Sequence, residues 1–137
     1  MIPDHKMNLA LISFHTCPLA SMGHPDAGGM NVHVLALTRR LVHAGYQVDI
    51  YTREHGANDS PIVELEPGLR IIHIASGHPS ETKANLPKYL SEFAYKAGEF
   101  IQRSNLRYDL IHSHYWMSGF IGQSLSQKLT IPHIITF

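Results

Sequence analysis

The sequence predicts an α/β chain built on a parallel, doubly wound sheet. Three observations carry this. Short apolar runs of strand length alternate with stretches whose apolar residues recur at helical spacing. Several of the runs are continuous rather than alternating, as in strands covered on both faces. The longer loops rich in Gly, Pro, Ser and Asp fall after strands, where an open parallel sheet binds its ligands.

The elements follow in order. Met7 to Phe14 (MNLALISF) reads as a buried strand, and His15 to Gly28 as a loop. From Gly29 the period changes: Met30, Val34, Leu37, Leu41 and Ala44 mark one face of a helix, with Gly45 as its C-cap. Tyr46 to Tyr51 suits a second strand. Residues 53–67 carry Gly, Asn, Asp and two prolines and read mostly as connection. Leu69 to Ala75 is a third strand, followed by the loop SGHPSETKAN. Leu86, Leu90, Phe93, Ala94, Ala97 and Ile101 line one face of a long helix. Asp109 to His114 is a fourth strand, Met117 to Lys128 a third helix, and HIITF after Pro132 a fifth strand. The order βαβ–β–αβαβ points to a parallel, doubly wound sheet. A last strand with no helix behind it leads us to expect a truncated chain.

With 137 residues the chain is one domain, 1–137, long enough to bury a core. Lys plus Arg and Asp plus Glu both number 11, so the formal net charge is zero. Such a balance offers no electrostatic footprint for nucleic acid or an anionic membrane. No apolar run is long enough for a membrane span, and the N-terminal run lacks a signal-peptide cleavage pattern. Cys17 is the single cysteine, which excludes an internal disulfide and points to a reducing, cytoplasmic home.

Three features fall at the predicted carboxyl edge of the sheet. In the first, PDAGGMN, Gly28 and Gly29 bare the start of a helix whose free N–H groups and dipole favour an anion. Asn31 adds a side chain able to bond a phosphate or hydroxyl. The plainer reading is that Asp26 caps the helix and the glycines make a turn. The pattern is neither G-x-G-x-x-G nor G-x-x-x-x-G-K-[ST], so no dinucleotide fingerprint or P-loop is present. In the second, Lys83 precedes a helix after Gly77, His78 and Pro79, either as a phosphate partner or as a solvated surface charge. In the third, His112-Ser113-His114-Tyr115-Trp116, the two histidines share a strand face. His114 can bond or deprotonate a group in the crevice, or be a structural histidine bonded to backbone. With no third ligand evident, no metal is expected. Tyr115 and Trp116 can stack on a sugar face, although a tryptophan packs the core by default.

HTCPLASMGHPDAGGMNVHV, VDIYTR, LEPGLRIIHIASG, KANLP and DLIHSHYWMSGFIG together resemble the N-terminal domain of family 4 retaining glycosyltransferases. The likeness is greatest to the branches of mycothiol-pathway enzymes acting on inositol phosphate and of sucrose-phosphate synthase-like enzymes. It runs over nearly the whole chain from Met7. The resemblance implies a Rossmann-like N-terminal half of a GT-B fold that holds the acceptor. A C-terminal donor domain, absent from this chain, would hold most of a nucleotide sugar. It implies His15, Asp26, Asn31, Lys83 and Tyr115 as acceptor-binding, Gly28 and Gly29 as phosphate- or donor-binding, and His114 as the catalytic histidine near the reacting sugar. The implied co-substrate is a UDP-sugar, with no bound cofactor, and the implied partner a sugar or polyol phosphate. Met22, His24 and Pro25 lie where such relatives vary. Without a donor half the chain alone is expected to be inactive. The alternative is a non-catalytic module that binds a sugar phosphate or other anion. A generic doubly wound nucleotide-binding or regulatory domain would not explain both DAGGMN and HSHYWMSG.

Overall fold

The computed structural model describes residues 7–18, 29–54, 56 and 60–137. The strands are β1 (Asn8–Ile12), β2 (Gln47–Arg53), β3 (Ile62–Glu66), β4 (Leu69–Ile74), β5 (Leu110–His114) and β6 (His133–Thr136). The α-helices are α1 (Gly29–His43), α2 (Leu90–Arg103) and α3 (Tyr115–Leu129), and a 3-10 helix, Lys83–Tyr89, precedes α2. Among the described residues the strands form one sheet in the order β3-β4-β2-β1-β5-β6. All neighbours are parallel except β3, which runs antiparallel to β4.

The chain steps outward from β1 through β2 and β4, then returns to place β5 on the other side of β1. The order therefore reverses between β1 and β5. A crevice opens at the carboxyl ends of strands at such a reversal. It brings the residues after Ile12 beside those after Ser113, which pair in register as Ile12 and Ser113.

Strand alternation divides the core into two layers. Leu9, Leu11, Val48, Ile50, Leu69 and Ile71 pack with Val34 under α1. Ala10, Ile12, Phe14, Ile72 and Ile111 face Phe93, Ala97, Ile121 and Leu125 of α2 and α3. Phe14 meets Phe93 edge-on, ring centroids 5.1 Å apart. The helices end as their sequences require. After α1 the Tyr46 N–H bonds Leu41 O and the Gly45 N–H bonds Val42 O, a Schellman close around a glycine at φ 103°. Asn105 and Thr130 take the left-handed position after α2 and α3, at φ 53° and 56°.

Below the second layer, Arg70 forks onto Asp49 with two bonds of 2.8 Å. The Tyr108 hydroxyl donates to the same carboxylate, and the Tyr51 and Tyr108 hydroxyls lie 2.6 Å apart. Burial pushes both phenols up, and the Asp49 charge adds to it, so both stay protonated. This network joins β2, β4 and the lead-in to β5 at the end of the sheet away from the crevice.

Two expectations are corrected. The stretch read as connection contains β3, whose Ile62, Val63, Glu64, Leu65 and Glu66 are exposed or only half-buried. An edge strand with so little burial leaves a weak pattern in sequence. Pro67 and Gly68, the latter at φ 90°, turn the chain back into β4, and a bulge between Glu64 and Glu66 absorbs the turn's misfit. The single long helix from Leu86 is instead a 3-10 segment followed by α2. Pro87 has no N–H for an α-helical bond, so the α form begins only at Leu90. At the opposite edge, Ile134 and Phe137 stand exposed on and after β6.

Candidate functional site

The crevice is built from the ends of β1 and β5 and the start of α1. Beyond Ile12 the chain bends through His15 and Thr16, held at several points. The Ser13 hydroxyl donates to Thr16 O at 2.9 Å, and the Phe14 N–H donates to the Ser118 hydroxyl of α3 at 2.9 Å. Ser118 is fully buried. The Thr16 hydroxyl donates to Asn31 Oδ1 at 3.2 Å, tying this bend to the first turn of α1.

Asn31 is 1% exposed, and its Nδ2 has no hydrogen-bond partner among the described residues. His114, the last residue of β5, is 2% exposed, and its Nε2 likewise has none. Buried polar atoms left this way are uncommon in a folded protein. Here two of them occur at one edge of the sheet. The His114 ring lies 4.3 Å from that of His112 and 5.8 Å from that of His33 on α1, so both strand histidines do share the α1 face. Burial pushes the His114 imidazole down to about 4, and the neighbouring His112 and His33 add to the effect. It is therefore neutral at pH 7, offering a lone pair or an N–H rather than a charge. His112 is also lowered by burial, and its Nε2 pairs with the Thr136 hydroxyl at 2.8 Å.

Tyr115 follows directly as the first residue of α3, with no loop between strand and helix. That junction requires φ 76°, a left-handed backbone that a tyrosine rarely adopts. It leaves the ring 43% exposed and 5.1 Å from His15. His15 and Tyr115 thus form an aromatic pair at the mouth of the crevice. The default core position for Trp116 is corrected: it is 48% exposed. Because α3 starts at Tyr115, its inward face is Met117, Ser118 and Ile121, which turns Trp116 and Phe120 outward.

Lys83 is exposed, at the start of the 3-10 helix, on a loop with its own bracing. Arg53, largely buried at the end of β2, donates to Ser76 O and His78 O at 3.3 and 2.9 Å. Glu81 accepts from the Tyr89 hydroxyl at 3.0 Å and from Asn85 Nδ2 at 3.2 Å. Gly77, at φ 68°, lies under the Tyr89 ring, where a Cβ would sit 2.8 Å from Cδ2. The loop is therefore a fixed platform at the end of β4.

The structure brings together His15, Asn31, His114 and Tyr115, with Gly29 opening α1 on the same edge. Lys83 stands on the same edge of the sheet, on a different loop. Asp26 and Gly28 lie outside the described residues. Sequence reasoning missed Thr16, Ser118, Arg53 and Glu81. Ser118 was within reach, as part of HSHYWMSG; the others act through contacts that no local pattern announces. Among the described residues no three His, Cys, Asp or Glu side chains gather as a metal site, and no helix is long and apolar enough to cross a membrane.

Comparisons with known proteins bear on the family and the fold. A family model described as the glycosyl transferase 4-like domain matches residues 28–137. The D-inositol 3-phosphate glycosyltransferase of Corynebacterium diphtheriae is 44% identical over 131 residues, covering 95% of this chain and 31% of that protein. The chain thus spans about a third of the length of the curated relatives it matches. Among solved structures, sucrose-phosphate synthase from Thermosynechococcus elongatus superposes with a TM-score of 0.87 at 33% identity, over 96% of this chain and 33% of that one. The catalytic domain of starch synthase IV from Arabidopsis thaliana, at 18% identity and a TM-score of 0.68 over 96% of this chain and 33% of that one, shares the fold. The sheet is the Rossmann-like half of a GT-B architecture, and the chain belongs to the glycosyl transferase 4-like domain family.

Proposed function

We propose that this chain is the acceptor-binding, N-terminal domain of a retaining glycosyltransferase that moves a sugar from a UDP-sugar to a phosphorylated polyol or sugar. Inositol phosphate is the first acceptor to test, because it is in the name of the relative at 44% identity. The observation that carries the reading is the pair of buried, unpartnered polar atoms, Asn31 Nδ2 and His114 Nε2, at the crevice where α1 begins. Such atoms incur a desolvation cost unless a ligand completes them.

Each residue then has a task. The N–H groups at the start of α1 hold phosphate oxygens, of the acceptor or of the departing diphosphate. Fixed dipoles aimed at developing charge are an effective form of electrostatic catalysis. Asn31 donates to an acceptor oxygen. Neutral His114 bonds a hydroxyl near the reacting carbon. Lys83 balances the acceptor phosphate. His15 and Tyr115 line the mouth, and Asp26 and Gly28 are given the acceptor- and phosphate-binding roles that their motif implies. No covalent protein nucleophile and no metal is invoked. A second domain would hold most of the donor, so the chain alone would bind acceptor without turning it over, in the cytoplasm.

Calorimetric titration tests this. The chain is expected to bind inositol 3-phosphate more tightly than inositol, and to give little response to UDP-glucose. Binding of UDP-glucose alone, or of no phosphate by a folded chain, would overturn the reading.

A further inference from the structure

We propose that Arg53 is a positioning residue for Lys83: it ties the loop after β4 to the end of β2 and so fixes where the lysine holds its charge. The inference rests on the reading that Lys83 balances the acceptor phosphate, and it adds what sets the place of that charge.

Arg53 is the last residue of β2. Its backbone N–H donates to Phe14 O at 3.3 Å, which ties it to the exit of β1 one residue before His15. The residue is 7% exposed. Its Nη1 carries two hydrogens and donates to Ser76 O and His78 O at 3.3 and 2.9 Å. Among the described residues its side-chain bonds go to carbonyl oxygens and to no carboxylate. Burial pushes the guanidinium pKa down, Glu81 and Tyr89 act against the shift, and an arginine stays charged throughout. Hydrogen bonds donated by an ion are the stronger kind. A buried cation whose Nη1 bonds both fall on one loop is therefore a firm brace for that loop.

The brace extends to Lys83. The His78 carbonyl also accepts from the Glu81 N–H at 3.0 Å. The Glu81 carboxylate accepts in turn from the Tyr89 hydroxyl and from Asn85 Nδ2, and Thr82 O accepts from the Asn85 N–H at 2.9 Å. Tyr89 and Asn85 belong to the 3-10 helix that Lys83 opens. Residues on both sides of Lys83 are thus joined, through Glu81 and His78, to a side chain of the sheet. An ammonium on a long flexible stem needs such a base. Coulomb attraction falls as the inverse of distance, so doubling the separation from a phosphate halves it. A loop free to shift would blunt the lysine without removing it.

The test is a double-mutant cycle read by calorimetry, with inositol 3-phosphate and inositol as probes. Arg53→Met keeps an apolar stem and removes the donors. Arg53→Gln keeps a polar end too short to reach both carbonyls. Two neutral variants are made so that one folded chain suffices, with folding read by circular dichroism. Each is expected to weaken inositol 3-phosphate about fivefold, most of the effect of Lys83→Ala, and to leave inositol within about twofold. In a Lys83→Ala chain the same substitutions should weaken the phosphate ligand by no more than about twofold. Amide exchange in residues 78–89 should quicken while that of the central strands holds.

The failures are distinguishable. If the loss persists undiminished without Lys83, Arg53 acts by its own charge and the positioning role falls. If a folded variant binds phosphate like wild type, or the exchange of the loop is unaltered, the brace falls and the site stands. If Lys83→Ala alone changes nothing, the lysine loses its phosphate role and this inference falls with it. If wild type does not bind phosphate, the site reading itself falls, and the inference with it.

Discussion

Lowering the pH should destabilise this fold through His114. An imidazole buried at 2% exposure with a pKa of about 4 remains neutral long after an unfolded histidine, near 6.5, has taken a proton. The unfolded state therefore binds more protons between these values. The contribution of His114 to stability is complete above pH 6.5 and is lost as pH falls towards 4. A fall from 6.5 to about 4 corresponds to about 3 kcal/mol in full, most of which falls between pH 7.5 and 4.5. Burial lowers His112 and His133 as well, so their effects run in the same direction and must be subtracted. The comparison that does so is His114→Gln, which keeps a polar group and removes the titration. Urea unfolding followed by far-ultraviolet circular dichroism at both pH values gives the four free energies. Wild type should lose about 2 to 3 kcal/mol more than the variant. An equal loss in both would refute the argument. It would mean that His114 accepts its proton without cost, which in turn requires a partner for its charged form.

Three further outcomes are expected. Gly29→Val puts a branched side chain at the open start of α1 and should weaken inositol 3-phosphate at least about 10-fold in calorimetry with an unchanged circular dichroism spectrum; full affinity would remove the anion site. Lys83→Ala should weaken inositol 3-phosphate by about fivefold to 10-fold and leave inositol unchanged, as expected for loss of one exposed cation beside a phosphate; equal losses for both ligands would assign the lysine a structural role. Gly77→Ala forces a Cβ onto the Tyr89 ring at a left-handed φ, and should destabilise the loop by about 2 kcal/mol, read as faster amide exchange in residues 76–89 with the central strands unchanged; unaltered exchange would mean the loop can relax around a side chain.

Much of the architecture can be read in the residues themselves, because it depends on period and punctuation. MNLALISF, LRIIHIA and DLIHSH are strands since each is a short apolar run closed by turn residues. The helices show their buried faces at 3.6-residue spacing, and the first shows its end at Gly45. DAGGMN and HSHYWMSG stand out in the sequence as candidate site elements because helix starts and strand ends follow local rules. What stayed hidden was set by distant partners. β3 is a strand because β4 offers it an edge, not because its half-exposed residues demand one. Trp116 is on the surface because α3 begins one residue after a strand, and a shift of one residue rotates a helix by about 100°. That the bend after β1 and the junction of β5 with α3 lie side by side follows from the strand order, which pairs residues some hundred positions apart. Sequence determined which groups are available: a bare helix start, an amide, an imidazole, an aromatic pair. Tertiary structure alone decided that Thr16 meets Asn31 and that burial keeps His114 neutral, since long-range contacts and desolvation depend on what surrounds a group and not on what precedes it in the chain.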